Sequence, residues 1–284
     1  MLPRLVDVLV STTCRPIEVL ICHSGPGAVT VRRPHVTVLH QEPLALASAS
    51  RNFGARFAAG HYLFFMDDDN FASPGLVDIL AAVLDDDETV VEVGPAMYYA
   101  DDPNRVYCFG VKHAALSSRT VWVRTVPADG SRLIPSDALP NAFMVRREQF
   151  DAVGRFDEVN FPMDFEESDL ALRLRRAFRG RVVCSLDAQV WHKTSLSGVT
   201  RLVPKSPERS YYSARNRPIF VAQHSGWLPW AVYVIAGQWV ACGARMFAIV
   251  RAGQLGPASR CTLAWGYARG MVVGLARSFR AVLR

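Results

Sequence analysis

With 284 residues, half of them hydrophobic, the chain has enough material for one large domain, or one domain and a smaller appendage, with a sizeable core. Its six cysteines (Cys14, Cys22, Cys108, Cys184, Cys242, Cys261) lie far apart with no C-x-x-C pair or Cys/His cluster, which argues against a structural zinc site and fits reduced thiols in a cytosolic compartment. The net charge of +6 is uneven: ten arginines and no acidic residue follow Glu208, so residues 209–284 carry +10 and residues 1–208 carry −4.

The N-terminal apolar stretch is short, carries Asp7 and lacks a small-x-small cleavage site, so no signal peptide is expected. Ile17–Cys22 reads as a strand closed by the turn signal HSGPG, and Val36–Leu39 as another. Pro43–Ala59 is predicted as a helix with Leu44, Ala47, Phe53, Phe57 and Ala58 as its apolar residues and Gly60 as its stop. His61–Met66 is a strand that runs into Asp67, Asp68 and Asp69. At about 4 Å, two carboxylates repel by roughly 1 kcal/mol in water and roughly 4 kcal/mol at a surface dielectric of about 20. Such a triplet is either solvated or holds a cation. Ser73–Leu84 reads as a helix capped by Ser73 with Pro74 in its first turn, and residues 90–99 (VVEVGPAMYY) as a strand. The alternation argues an α/β domain with a largely parallel sheet, whose ligands bind beyond the carboxyl ends of the strands, where Asp67–Asp69 lie.

Further on, Asn141–Arg147 is predicted as a strand and Glu148–Val153 as a short helix. A loop and helix follow, with Leu170, Leu174 and Ala177 on one face and Glu166 and Glu167 at the helix entry. Val182–Cys184 and Ala188–Trp191 read as short strands, giving a domain over residues 1–205 and a basic, apolar helical region over 206–284. Residues 227–250 are the longest apolar stretch. Residues 227–244 have the length of a membrane span, against which stand Pro229, Gln238, Arg245 and two glycines. A spanning helix, an in-plane amphipathic helix and a buried or dimer-forming helix all stay open. Residues 261–284 give a second helix with Arg269, Arg277, Arg280 and Arg284. This tail, with few lysines and no aromatic-basic interleaving, suits an anionic membrane surface or a protein interface better than nucleic acid.

Four segments occur in order: RPIEVLICHSG (15–25), ASRNFGARFAAGHYLFFMDDDN (49–70), GRFDEVNFPMDFEESDLALRLRRA (154–177) and VWHKTS (190–195). Together they resemble the successive motifs of the family 2 glycosyltransferases, nucleotide-sugar-dependent inverting enzymes, over about residues 4–195. YYSARNR (211–217) is similar to a feature of bacterial members. The resemblance implies a GT-A fold: an α/β, Rossmann-like mixed sheet flanked by helices, here followed by a C-terminal helical appendage suited to a membrane. It implies that Asp67, with Asp68 beside it, meets the nucleotide-sugar and that Asp69 binds Mg²⁺ or Mn²⁺; the plain alternative is a solvated acidic turn. Glu167, paired with Glu166, is implied as the base for the acceptor hydroxyl, although Asp164-x-x-Glu167 also fits a helix capping box. His192 is implied near metal and diphosphate, where a lone histidine could equally be structural, and Arg51 and Asn52 near the nucleotide, where a helix surface is the plain reading. Arg173 and Arg175 read as solvated or salt-bridged.

Two departures stand out. Residues 5–25 align on the family's first helix and second strand, which leaves nothing for its first strand. His23-Ser24 stands where an acidic pair is usual, so an aspartate for the nucleobase is missing. The expected activity is metal-assisted hexosyl or deoxyhexosyl transfer from a nucleoside diphosphate sugar to a glycan or lipid-linked acceptor. It would take place at the inner face of the cell membrane, in cell-wall or surface polysaccharide synthesis. The alternatives are a non-catalytic membrane-associated homologue and a metal-dependent phosphohydrolase; the latter generally wants a lysine on the phosphate, and the chain has only Lys112, Lys193 and Lys205.

Overall fold

The computed structural model describes residues 2–27, 29–114, 120–194, 203–204, 206–253 and 255–283. The chain divides into two compact units, one of residues 1–112, 121–157 and 170–194, the other of residues 113–120, 158–169 and 195–284.

The first unit is built on a seven-stranded sheet in the order β3-β10-β5-β11-β4, with β6 added to β5 and β9 to β11. These strands are β3 (Tyr62–Met66), β4 (Asn70–Ala72), β5 (Val90–Tyr99), β6 (Asp102–Cys108), β9 (Leu133–Ser136), β10 (Ala142–Arg146) and β11 (Arg181–His192); the short strands β7 (Val111–His113) and β8 (Thr120–Trp122) lie outside this sheet, and the short helix α4 (Arg147–Ala152) follows β10. Only β5 and β11 pair in parallel; β10 lies antiparallel between β3 and β5. The sheet is therefore mixed rather than largely parallel. The alternation of elements up to residue 99 could not reveal that a strand from residue 142 onward would insert between β3 and β5, running against both. β5 is buried at nine of its ten positions, as a central strand covered on both faces should be.

Strand alternation sorts the side chains onto two cores. Leu63 and Phe65 of β3 point to one core. There Phe65 meets Phe143, Phe150 and Phe156 at ring distances of 5.4, 5.3 and 5.2 Å, joined by Leu170 and Leu174 of helix α5 (Glu166–Phe178). Tyr62, Phe64 and Met66 point to the other, against Leu76, Leu80 and Leu84 of α3 (Leu76–Asp86) and Leu5 and Leu9 of α1 (Leu2–Thr12). Buried Arg146 donates to the carbonyls of Leu84 and Val90, so the C-terminal end of α3 is tied to the sheet through groups that have no partner inside the helix. Helix α3 starts at Leu76, not at Ser73: left-handed Gly75 (φ 70°) is the cap residue, and the Ser73 hydroxyl accepts from the Gln189 N–H instead. Ala177 is exposed and Ala171 takes its place on the buried face. The two short strands expected around residues 182–191 are one strand, β11, with an irregular register between Ser185 and Gln189.

Residues 2–12 form helix α1, and the segment after it is β1 (Val19–His23), parallel to β2 (Val36–His40) in a sheet of its own. Among the described residues β1 pairs only with β2, and β3 only with β10. A cavity of about 1120 Å³ separates β1 from β3; both strands line it, together with Leu5, Val6 and Leu9 of α1, and its lining continues to Arg51 and Asp67–Asp69. Arg51 belongs to α2 (Ala47–Phe57), which closes on β1 so tightly that a Cβ at Gly54 would stand 2.6 Å from Cys22 Sγ.

The second unit is helical. α6 (Pro207–Ser225) starts on a Ser206 cap whose hydroxyl accepts from the Arg209 N–H at 3.1 Å, with Pro207 in the first turn. α9 (Pro257–Val282) packs along it. Gly266, Gly270 and Gly274 present no side chain to the carbonyls of Pro207, Tyr211 and Arg215, four residues apart on α6, and a Cβ at any of them would collide. Between them, α7 (Trp227–Val232), a π-helical turn (Tyr233–Gly237) and α8 (Gln238–Arg251) make one continuous 25-residue helix. That helix is long and apolar enough to cross a membrane, yet Ile235 and Val240 are 76% and 73% exposed, so a fully buried core helix does not describe it.

Candidate active site

The acidic triplet is a turn held at both ends. β3 ends at Met66, but the Asp67 N–H still donates to the Asn141 carbonyl at 3.0 Å. The chain reverses over Asp68 and Asp69, and Asn70 resumes pairing opposite His192 on β11. Buried Asn70 closes the turn by donating from Nδ2 to the Asp67 carbonyl at 3.0 Å. The like charges are then handled separately. Asp67 pairs with Arg51 at 2.9 Å, Asp68 is exposed to water, and Asp69 Oδ2 stands 3.2 Å from His192 Nε2. One apolar strand can thus end in three carboxylates because two have partners and the third is hydrated.

His192 is 8% exposed and is placed by β11 between the sheet and an aromatic wall. Tyr107 packs edge-to-face against it at 5.1 Å, backed by Tyr99 and Trp122. The Asn141 amide nitrogen lies 3.4 and 3.5 Å from its two ring nitrogens. Asn141 is left-handed (φ 66°), a conformation asparagine tolerates better than most residues, and it sits where the chain turns into β10. Asn141 and Tyr107 are site neighbours that sequence reasoning missed. Asparagine after Pro140 was a usable turn signal; nothing local marked Tyr107.

The donor chemistry here fits a divalent ion. A carboxylate oxygen and an imidazole nitrogen stand 3.2 Å apart, and both are donor types that Mn²⁺ accepts. Among the described residues no group of three or more His, Cys, Asp or Glu side chains could hold a metal.

The other expected site residues are placed as follows. Arg51 is nearly buried and also stacks over Phe156 at 5.6 Å, which leaves its charge directed at Asp67. Asn52 holds the Phe156 peptide from both sides, donating to its carbonyl at 2.9 Å and accepting from its N–H at 3.0 Å, and so anchors α2 to the chain ahead of residue 158. His23 and Ser24 line the same cavity as Asp67–Asp69. Arg175 is salt-bridged to Asp137 and Arg173 donates to the Val153 carbonyl.

The acidic pair belongs to the second unit. Glu166 is buried and Glu167 half-buried in the first turn of α5, where the helix dipole favours negative charge. The approach is a sharp corner with two consecutive left-handed residues, Asp164 (φ 61°) and Phe165 (φ 73°). Arg209 pairs with Asp164 at 3.1 Å, and its guanidinium is held above its usual pKa chiefly by Asp164, with Glu166 and Glu167 adding to the same field. Inside the turn Asp169 meets His224 of α6 at 2.8 Å, both nearly inaccessible.

Known proteins resemble this chain in sequence and in fold. Residues 1–108 match the family model described as glycosyl transferase family 2. An uncharacterized glycosyltransferase of Bacillus subtilis, YwdF, is 25% identical over 224 residues, 75% of this chain and 78% of that protein. Two solved structures share the fold. The GalNAc-T7 crystal structure with UDP, GalNAc and Mn²⁺ matches at a TM-score of 0.54 and 17% identity, covering 83% of this chain and 44% of the other, so this chain spans less than half of that one. The mannosyltransferase PcManGT from Pyrobaculum calidifontis, in complex with GDP-Man and Mn²⁺, matches at 0.53 and 14% identity, covering 100% and 84%. With these matches the phosphohydrolase reading falls away. Mixed sheet, motif order and these matches point the same way: residues 1–108 are similar to glycosyl transferase family 2, and the chain as a whole is similar to a glycosyltransferase.

Proposed function

We propose that the chain transfers a hexosyl or deoxyhexosyl group, with inversion, from a nucleoside diphosphate sugar to a hydroxyl of a glycan or lipid-linked acceptor. The observation that carries the donor half is the paired placement of Asp69 and His192 at one end of the Asp67–Asp69 turn, with Arg51 compensating Asp67 at the other. A Mg²⁺ or Mn²⁺ held by Asp69 and His192 would offset the charge developing on the departing diphosphate. Asp67 and Asp68 then face the nucleotide-sugar, Asp67 oriented by Arg51, while Asn52 keeps α2, and therefore Arg51, in place. Glu167 takes the proton as the acceptor oxygen bonds to the anomeric carbon and the bond to the diphosphate breaks; Glu166 stands beside it. Structures of the same fold that contain Mn²⁺ with UDP or with GDP-Man support the cofactor and donor class.

The exposed apolar surface of residues 227–251 and the uniformly basic tail support work at the cytoplasmic face of a membrane, where lipid-linked acceptors lie. The test is a thermal shift against UDP-, GDP- and dTDP-sugars with and without Mn²⁺, followed by release of nucleoside diphosphate with the best ligand. We expect a metal-dependent rise in melting temperature for one nucleotide class, and loss of turnover in both Asp69→Ala and Glu167→Ala with the fold intact. Retained turnover in both variants would refute the assignment of these roles.

A further inference from the structure

We infer that Arg215 and Asn216, in the YYSARNR segment of α6, are positioning residues for the acidic pair; the inference rests on the reading of Glu167 as the base. The segment is not surface decoration. Arg215 is 3% exposed and Asn216 fully buried, and both direct their donors at the backbone that leads into α5. Arg215 gives Nη2 to the Val159 carbonyl at 2.6 Å and Nη1 to the Asn160 carbonyl at 3.0 Å. Asn216 gives Nδ2 to the carbonyls of Met163 and Asp164 at 2.7 and 2.9 Å. Its Oδ1 accepts from Arg215 Nη1 at 2.7 Å, which fixes the amide's orientation, so the two side chains act as one fork on four carbonyls.

What they hold is a conformation the chain would not keep by itself. Asp164 and Phe165, side-branched residues in the left-handed region, immediately precede Glu166 and Glu167. The Phe165 carbonyl then accepts from the Asp169 N–H at 2.8 Å and starts the helix. Phe165 is packed against Phe220 at 5.0 Å and lies under Arg217, and Asp169 is locked to His224; every one of these partners is on α6. The glycine-lined contact with α9 in turn fixes α6 where Tyr211 and Arg215 lie. The direction of Glu167 is therefore set from α6 through the 163–165 corner. A catalytic group displaced by about 1 Å can lose on the order of 10²-fold in rate without any change in donor binding.

The test uses the full chain with Mn²⁺ and whichever UDP-, GDP- or dTDP-sugar releases most nucleoside diphosphate. Asn216→Asp keeps the shape and removes both donors. It should lower kcat by about 10- to 100-fold, leave the donor KM within about twofold, and raise amide exchange over residues 158–170 while β5 stays protected. In a Glu167→Gln background it should add no further loss, because its effect runs through Glu167. Should Asn216→Asp not fold, Arg215→Lys, which keeps the charge but not the fork, is expected to show the same pattern. A kcat within twofold of the parent, unchanged exchange over 158–170, or full additivity with Glu167→Gln overturns the inference and leaves the base assignment standing. Parent-like turnover in Glu167→Gln alone brings down the base assignment, and this inference with it.

Discussion

At the scale of single residues, the triplet at 67–69 is legible in sequence as a charge problem, and the structure shows how the chain solves it. Each outer carboxylate has a cationic or ring-nitrogen partner from a distant segment: Arg51 is 16 residues before Asp67, and His192 is 123 residues after Asp69. Motif order could nominate these pairs; only the pairing of β4 with β11 brings the second together. Replacing His192 with alanine should remove one of two protein donors, so the Mn²⁺-dependent part of the thermal shift should shrink by most of its size while the shift from nucleotide alone persists. An unchanged Mn²⁺ effect would mean the ion sits elsewhere. A second carboxylate shows how local bonding sets pH dependence. Asp87 is held down to about 2, first by the Thr89 hydroxyl and then by Arg181. Its folded-state value is depressed, so its contribution is complete above the unfolded value near 3.9 and is lost as pH falls through about 2. The gap in urea midpoint between parent and Asp87→Asn should therefore be constant from pH 7 to 5 and close between about pH 4 and pH 2.

At the scale of elements, β3, β5 and β10 were readable almost to the residue, because each is a short apolar run bounded by charged or turn residues. Misreadings arose where a distant partner overrode a local signal. Ser73 looked like a helix cap, but β11 claims its hydroxyl, and Thr12 takes the Gly75 N–H that begins the helix. The interruption at residues 185–187 reads as a break between strands, yet β5 pairs with β11 on both sides of it, with β9 alongside Val182–Ser185, and keeps it one strand. Beside β1 lies the cavity that β3 lines from its other side. A two-stranded sheet is marginal by itself, and β1 and β2 are held mainly through α2. Amides of Val19–His23 and Val36–His40 should exchange far faster than those of β5 and β11, by mass spectrometry at neutral pH. Equal protection would show that the small sheet opens only with the large one. The α2 contact can be probed at Gly54. Alanine there gains about 1 kcal/mol of helix propensity and loses about 1–3 kcal/mol by overpacking on Cys22 Sγ, so Gly54→Ala should destabilise by roughly 1 kcal/mol. In a Cys22→Ala background the same change should stabilise, which a two-by-two set of urea melts resolves.

For the molecule as a whole, the charge division seen in composition matches a division of surface. The second unit carries the acid-free tail, and its 227–251 helix has one packed side and one bare side. Arg245 ties the packed side down, donating to the Ser213 hydroxyl at 3.1 Å and stacking over Tyr267, and Gln238 is buried with it. The bare side shows Trp227, Ile235, Trp239, Val240 and Val250, and Trp265 and Val272 of α9 are exposed as well. A helix that crossed the bilayer would have to release Arg245 from its partners and carry it toward hydrocarbon, at a cost of at least about 2.5–3.5 kcal/mol. One that lies in the headgroup region keeps those contacts and buries only the bare side. We therefore expect in-plane binding. The full chain should float with phosphatidylglycerol vesicles and bind neutral phosphatidylcholine vesicles much more weakly, since each basic residue near an anionic surface contributes about 1 kcal/mol. Raising salt from 0.1 to 1 M shortens the screening length from about 10 to 3 Å and should weaken the anionic binding without abolishing it. Trp239→Glu with Val240→Glu should abolish binding at both salts while leaving the donor-dependent thermal shift intact, because the apolar face anchors and the arginines only attract. Alkaline carbonate decides the geometry: release from membranes is the in-plane result, and retention would mean that the helix spans.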